Sequence, residues 1–274
     1  MSRITQSYTK PSAWQAFYHA YFNKQSVALL FLGFSAGIPI LLIFSSLGLW
    51  LREAGIDRST VTMFGWAALG YSFKFIWAPL VDALPLPILT RLLGRRRSWL
   101  LLTQILVIAA LVLMAMTNPQ SGGAMLSIMA AGAVLLGFSS ASQDIVIDAY
   151  RIESAPIEMQ PALSATYVMG YRIGMIVSGA GALYLADFFG STMEAYSYLA
   201  WQKTYLIMAA VMGIGILTTL VISEPKTVVR PITQTSKNNL RLVVVFILSV
   251  LAFILVFRGI GGRLLETDDV LLQF

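Results

Sequence analysis

The chain has 274 residues, of which 57% are hydrophobic and only 12% are charged, about half the charged share of a soluble domain. It has no cysteine and a single histidine, which excludes a disulfide framework and a thiolate metal site, so we expect no cofactor. Its formal charge of +6 comes from short basic clusters between apolar runs, which indicates a positive-inside membrane protein and not a nucleic-acid-binding surface.

Long apolar runs dominate the chain, and a run of about twenty residues can cross a bilayer as a helix. We predict an all-α polytopic membrane protein with spans at 26–51, 60–81, 98–116, 124–150, 161–186, 205–222 and 242–257. The predicted organisation is a segment 1–25, a six-helix bundle 26–223, a linker 224–241, the seventh span, and a Gly-rich and acidic tail 258–274. Because the first segment lacks the apolar core and cleavage site of a signal peptide, we expect it to be retained on the cytoplasmic side.

The distribution of lysine and arginine predicts the orientation of the bundle. With the amino terminus inside, the inside segments hold 12 of the 19 basic residues and the outside segments hold five. Cytoplasmic loops of membrane proteins carry the excess of basic residues. We therefore expect a cytoplasmic amino terminus and linker and, with an odd number of spans, a carboxyl terminus on the outside.

The fourth predicted span carries Gln143, Asp144 and Asp148 into the bilayer. A carboxylate in hydrocarbon is costly, so such groups usually face a bundle interior or a wet cavity and mark a transport or proton path. Asp144 and Asp148 are four residues apart and share one helix face. The alternative is a helix end whose acids meet headgroups or a basic loop, and for Asp148 we favour pairing with Arg151 or with the loop 95–97.

Two cations lie inside neighbouring spans: Lys74 in the second, and Arg172, next to Tyr171, in the fifth. With a helical rise of ~1.5 Å per residue, Lys74 and Asp144 lie at similar depth, and Arg172 lies near the middle of the bilayer. Opposite charges in one membrane layer are less costly as pairs than singly. We therefore predict a polar cluster of Lys74, Asp144 and Arg172. Gln143 and Tyr171 are assigned to the same cavity.

Asp144 is the candidate for proton coupling. A low dielectric favours its neutral form, whereas a nearby Lys74 favours the charged form, and the sequence leaves this balance open. The alternative for Lys74 is that its side chain snorkels to the membrane interface.

A compact basic loop follows Asp82 between the second and third spans: Gly94, Arg95, Arg96 and Arg97. Such a cluster on a cytoplasmic loop can bind anionic lipid. Its position after Asp82 also suits a conformational latch on the cytoplasmic side, to which we assign Asp82, Asp148 and the run 94–97. The sequence leaves both interpretations open.

The topology and five short motifs carry a family resemblance. The chain resembles the amino-terminal half of a major facilitator superfamily transporter in four features: six spans, Asp82, the Gly-Arg-Arg-Arg run that follows it, and a long linker after the sixth span. More narrowly, five stretches in order are similar to the AmpG-type muropeptide permeases of the Gram-negative inner membrane: 32–39, 73–80, 94–97, 140–145 and 170–175. The resemblance covers about residues 26 to 225.

This resemblance implies a proton-coupled importer of GlcNAc-anhydro-MurNAc and its peptide-bearing forms, from periplasm to cytoplasm, in peptidoglycan recycling. It implies a link to β-lactamase induction, and as partners protons, the glycopeptide substrate and membrane lipid, but no nucleic acid. Gln143 and Asp144 match positions suspected of proton coupling or sugar binding. Asp82 and the run 94–97 match the loop that locks the cytoplasmic side.

The chain also departs from the family pattern. Ala78 stands where the superfamily loop has glycine, an insertion separates Asp82 from Gly94, and the seventh span lacks the expected Lys-Leu-Gly-Asp signature. Superfamily members rock two six-helix halves around a central site. We therefore expect a truncated or half form, or part of a longer protein, that needs a second half or self-association.

Two other functions fit the same sequence. A carrier of acyl-CoA or another large organic anion would share the topology and use Arg172 equally well. A membrane remnant or scaffold that transports nothing is the second alternative. No GxxxxGK[ST], HExxH or GxSxG element is present, so the chain is not expected to be an enzyme.

Overall fold

The computed structural model describes residues 12–225, together with Val244 and Leu248. Within these residues the regular elements are helices, as the apolar runs predict. Apart from the two isolated positions, the predicted seventh span 242–257 lies outside the described residues. So do the tail 258–274 and the linker beyond residue 225.

Five helices of the described part are long and apolar enough to cross a membrane, so the chain is an all-α polytopic membrane protein. They coincide with the first, third, fourth, fifth and sixth predicted spans. We label the helices in chain order: α1 Ala13–Tyr21, α2 Lys24–Glu53, α3 Arg58–Phe64, α4 Leu69–Phe73, α5 Ala78–Ala83, α6 Leu89–Leu93, α7 Arg95–Ala115, α8 Gly123–Ser154, α9 Ile157–Phe188 and α10 Tyr198–Val221. The five spanning helices are α2, α7, α8, α9 and α10.

Side-chain caps set where several helices begin. Asn23 accepts from the Ser26 N–H before α2, and Ser197 accepts from the Ala200 N–H before α10. Each cap satisfies one of the N–H groups that a helix start leaves without a partner. The cap at Ser197 explains why α10 begins seven residues before the predicted span at 205.

The second predicted span, 60–81, is broken and is not one helix as we predicted. The helices α3, α4 and α5 are joined by two turns of 3-10 helix, Gly65–Ala68 and Lys74–Ile76. Glycines allow this segment to approach α8 closely: a Cβ on Gly70 would lie 3.3 Å from the backbone of Gly137. The break places the lysine of this segment in a 3-10 turn beside α8.

Helices α2 and α9 pack backbone against backbone. Each carries two glycines four residues apart, Gly33 and Gly37 on α2 and Gly170 and Gly174 on α9. A Cβ on any of them would lie 2.0–2.2 Å from a backbone carbonyl oxygen of the opposite helix. Small residues at this spacing allow membrane helices to approach closely, and here they hold the tyrosines of α9 in register with α2.

A second set of contacts fastens the opposite end of α2. The Glu53 cluster consists of Trp50, Glu53, Ser191, Tyr196 and Trp201. Glu53 Oε2 accepts from the Ser191 hydroxyl at 2.6 Å and from the Trp201 indole N–H at 2.7 Å. The Trp50 indole stacks on that of Trp201, with centroids 5.7 Å apart, and donates to the Tyr196 hydroxyl at 3.2 Å. The cluster joins the end of α2 to the start of α10 and to the loop before it.

Candidate functional site

Lys74 and Asp144 face each other between the 3-10 turn and α8. The distance from Lys74 Nζ to Asp144 Oδ2 is 3.7 Å, and the two side chains are 38% and 10% exposed. The predicted contact between them is confirmed, whereas their function stays a prediction. The lysine is partly open to the surroundings, and the 3.7 Å separation is longer than that of a charge-assisted hydrogen bond.

Two tyrosines of α9 flank the acid. The Tyr167 hydroxyl donates to Asp144 Oδ1 at 3.4 Å, and the Tyr171 ring lies 6.0 Å from the Tyr167 ring between centroids. Tyr171 was predicted from the sequence, whereas Tyr167 was not. The four-residue spacing of the tyrosines was the available signal, because it places both rings on one face of α9.

Small hydroxyl side chains of α8 hold the broken segment on both sides of Lys74. The Tyr71 hydroxyl donates to Ser140 Oγ at 2.7 Å, and the Trp77 indole N–H donates to Ser142 Oγ at 3.0 Å. These contacts position Lys74 beside Asp144, although Lys74 does not belong to a long helix. We call Lys74, Tyr71, Asp144, Tyr167 and Tyr171 the Asp144 site.

Gln143 lies apart from the Asp144 site. Its side chain is fully buried, and its Nε2 donates to the Ser35 hydroxyl of α2 at 3.0 Å. Consecutive helical residues point about 100° apart. Gln143 therefore faces the bundle interior, whereas Asp144 faces the broken segment. The two residues that we assigned to one cavity thus have different partners.

Arg172 is exposed, and its Nη1 lies 3.8 Å from Met175 Sδ on the same helix. Among residues 12–225, no carboxylate lies within 4 Å of its guanidinium. The structure therefore joins two of the three charges of the predicted cluster, Lys74 and Asp144, and leaves the third outside the pair.

A second polar site lies at the end of the bundle where α7 begins. We define the Arg96 cluster as Asp82, Arg95, Arg96 and Glu153. Arg96 Nη2 lies 2.5 Å from both Asp82 Oδ1 and Glu153 Oε1, and Arg96 Nε donates to Glu153 Oε2 at 2.9 Å. Arg95 reaches Glu153 at 3.4 Å. Glu153, from the last turn of α8, was not predicted as a partner of the basic run.

The basic run predicted as a loop is the first turn of α7. Its N–H groups at Arg96 and Arg97 donate to the Glu224 carboxylate at 2.8 and 3.1 Å. Arg97 donates in turn to the carbonyls of Thr219 and Leu220 at the end of α10. Gly94 precedes the helix with φ +89°, a conformation that favours glycine. The predicted loop is therefore wrong at Arg95 to Arg97, because a carboxylate caps these residues into helix.

Asp148 does not join the Arg96 cluster. Its Oδ1 lies 3.3 Å from Arg151 Nη2, one turn further along α8. This is one of the two partners that the sequence left open. Arg151 also donates to Gln160 and Ser164 at the start of α9, so the pair belongs to the connection between α8 and α9.

Comparison with known proteins gives consistent matches. The sequence pattern of the Major Facilitator Superfamily matches residues 25–265. An Escherichia coli K12 protein named anhydromuropeptide permease is 41% identical over 213 residues, 78% of this chain and 40% of its own length. A Rickettsia felis protein named transporter AmpG 4 is 39% identical over 208 residues, 76% of this chain and 47% of its own length. The chain spans less than half the length of these curated relatives.

Proposed function

Because this chain belongs to the Major Facilitator Superfamily, we propose that it works in a secondary transporter that imports anhydromuropeptides for peptidoglycan recycling. The proposal is supported by 41% identity to the anhydromuropeptide permease of Escherichia coli K12. We further propose that a second six-helix half, or a second copy, completes the transport path, since superfamily transporters bind substrate between two halves.

The observation that carries the proposal is the Lys74–Asp144 pair, 3.7 Å apart and partly exposed within apolar helices. Ionisable groups at membrane depth are costly and usually mark a substrate or proton path. Tyrosines of α9 add hydroxyl donors and flat apolar faces beside the charges, a combination that suits a sugar ring with polar substituents. A purely structural pair would not need a lysine with 38% of its side chain exposed.

The geometry suggests how a proton and an anionic substrate could be coupled. A proton added to Asp144 Oδ2 cancels the charge of the carboxylate, so the Lys74 ammonium loses its counter-ion and can bind a carboxylate of the substrate. Loss of that proton restores the attraction between Lys74 and Asp144, and the substrate carboxylate is displaced. Each binding event therefore accompanies one protonation, which is the requirement for symport.

For orientation we propose the inner membrane, with the amino terminus and the Arg96 cluster on the cytoplasmic side. The support is the excess of basic residues in the segments assigned to that side. In this arrangement the Arg96 cluster holds the cytoplasmic ends of α5, α7 and α8 together while the site opens to the other side.

The proposal is tested by uptake into permease-deficient cells that make the chain. Labelled GlcNAc-anhydro-MurNAc should accumulate and labelled acetyl-CoA should not. Asp144→Asn should abolish accumulation against a gradient while exchange of internal for external substrate continues, because only the titrating group is lost. Glu158→Gln, an exposed acid outside the site, serves as the matched control and should transport normally.

Two outcomes contradict the proposal. Uptake of acetyl-CoA alone would assign the Asp144 site to a large organic anion carrier. No uptake of either compound, with the folded protein present in the membrane both alone and together with a completing six-helix half, would favour a scaffold without transport.

A further inference from the structure

Two fully buried glutamines lie deep inside the bundle, away from the Asp144 site. Gln104 of α7 accepts from the Thr219 hydroxyl at 2.9 Å, and Gln143 of α8 donates to the Ser35 hydroxyl at 3.0 Å. The other half of each amide, Gln104 Nε2 and Gln143 Oε1, has no hydrogen-bond partner among the described residues. One unpaired donor and one unpaired acceptor thus remain in a low-dielectric interior, where polar groups rarely lack a hydrogen-bond partner.

These four side chains form one group around Gly215 of α10. A Cβ on Gly215 would lie 2.8 Å from Ser35 Oγ and 3.1 Å from Gln104 Nε2. Ser35 Oγ and Gln104 Nε2 are therefore at most about 6 Å apart, the span of two consecutive hydrogen bonds, and the Gln143 amide adjoins this gap because its Nε2 lies 3.0 Å from the same Ser35 Oγ. Since Ser35 also holds Gln143, the group connects α2, α7, α8 and α10 across the middle of the bundle.

We propose that this group binds one internal water molecule, which accepts from Gln104 Nε2 and donates to Gln143 Oε1. Water fits the chemistry because it supplies an acceptor and a donor together, and internal waters bind where buried polar groups lack partners. An ion does not match both unpaired atoms, since the Gln104 Nε2 donor repels a cation and the Gln143 Oε1 acceptor repels an anion. Water also serves either orientation of the Gln104 amide, because exchange of its oxygen and nitrogen leaves one unpaired atom in both cases.

A third unpaired group lies on the same face of α8. Ser139 Oγ is fully buried and has no partner among the described residues, and it precedes Gln143 by four residues. Residues at this spacing are neighbours on one helix face. Ser139 therefore extends the polar lining by one turn, and in this proposal its hydroxyl oxygen is an acceptor for the second hydrogen of the water.

The decisive experiment is an experimental structure of the full chain at a resolution that shows ordered water, about 2 Å or better. The expected result is a peak within hydrogen-bond distance of both Gln104 and Gln143. A direct bond between the two amides, with no peak between them, would overturn the proposal. So would a peak bonded to neither amide.

A mutant cycle gives an independent measurement on the purified chain. Gln104→Leu and Gln143→Leu each remove one partner of the same water, so each should lower the unfolding temperature, and the double variant should lower it by clearly less than the sum. Fully additive losses would contradict a shared water. Gln25→Leu, an exposed glutamine in the first turn of α2, is the control for the substitution itself and should leave the unfolding temperature nearly unchanged. If a glutamine variant does not fold, the wild-type structure alone decides.

Discussion

The two ends of the bundle are fastened by different chemistry. At one end, the donors to Glu53 among residues 12–225 are neutral, and two fully buried indoles stack beside it. At the other end, Arg96 is shared between Asp82 and Glu153, and the Asp82 side chain is 59% exposed while that of Arg96 is 3% exposed.

This difference predicts which end moves. Stacked aromatic rings and neutral hydrogen bonds at the Glu53 end lose contacts without gaining a comparable partner when they separate. Charges at the Arg96 end can exchange protein partners for water when this end opens, because Asp82 already contacts solvent and opening would hydrate the buried Arg96 as well. We therefore expect the Glu53 cluster to stay closed and the Arg96 cluster to open and close during transport.

The largest expected effect comes from breaking the helix pair that connects both ends. Gly37→Ala places a Cβ 2.1 Å from the Tyr171 carbonyl oxygen, so α2 and α9 must separate. We expect a loss of about 3 kcal/mol or more in the free energy of unfolding, enough to remove most folded protein. Expression and unfolding temperature measure it. Gly213→Ala, with no atom within 4 Å of its Cβ, is the matched control, and equal behaviour of the two variants would contradict the packing.

The next effect compares the two glutamates directly. Glu153→Gln keeps the shape of the side chain but removes its charge. In the wild type, both carboxylate oxygens of Glu153 accept hydrogen bonds from the Arg96 guanidinium. We expect a loss of about 2 to 3 kcal/mol, because the buried guanidinium keeps only Asp82 as counter-ion. Thermal unfolding of the purified variant measures this loss, and an unfolding temperature equal to that of the wild type would contradict the assignment.

Glu53→Gln should cost less than about 1 kcal/mol. A glutamine Oε1 can accept from Ser191 and Trp201 as the carboxylate does, and neither donor carries a charge. The same unfolding measurement applies. A loss as large as that of Glu153→Gln would show that the Glu53 end depends on charge, and the contrast between the ends would fail.

The smallest effect is a pH dependence at the loop that follows Glu53. Hydrogen bonds from the Ser59 hydroxyl and the Thr60 N–H lower the pKa of Asp57 to about 2. A lowered pKa in the folded state gives stability that is present above the unfolded value of 3.8 and is lost as the pH falls toward 2. Asp57→Asn keeps a capping oxygen and should remove this dependence between pH 4 and about 2. An unchanged acid profile would contradict the role of Asp57.

The sequence could predict the helices and the central pair, because the relevant physics is local. Apolar runs of membrane length define α2, α7, α8, α9 and α10, and charges inside such runs are conspicuous. Lys74 and Asp144 could be matched by depth alone. The division of the second span could not be foreseen, since it depends on contact with α8 at Gly70 and Gly137.

Partners on other helices were the main omission. The contacts across helices depend on how each helix is rotated about its own axis, and hydropathy does not specify this rotation. The residues missed for this reason are Tyr167, Glu153 and Glu224. Arg172 was placed in the polar cluster by depth, yet rotation leaves it outside the Lys74–Asp144 pair. Residues 95–97 were read as loop because their cap, Glu224, follows them by more than a hundred positions.

The most direct test of the account is a charge exchange between Lys74 and Asp144. Uptake of labelled GlcNAc-anhydro-MurNAc is measured for Lys74→Asp, for Asp144→Lys and for the double variant, at equal amounts of protein in the membrane. If the pair is the centre of transport, each single variant loses uptake and the double variant recovers more than either. Equal failure of all three, or wild-type uptake by a single variant, would contradict the account.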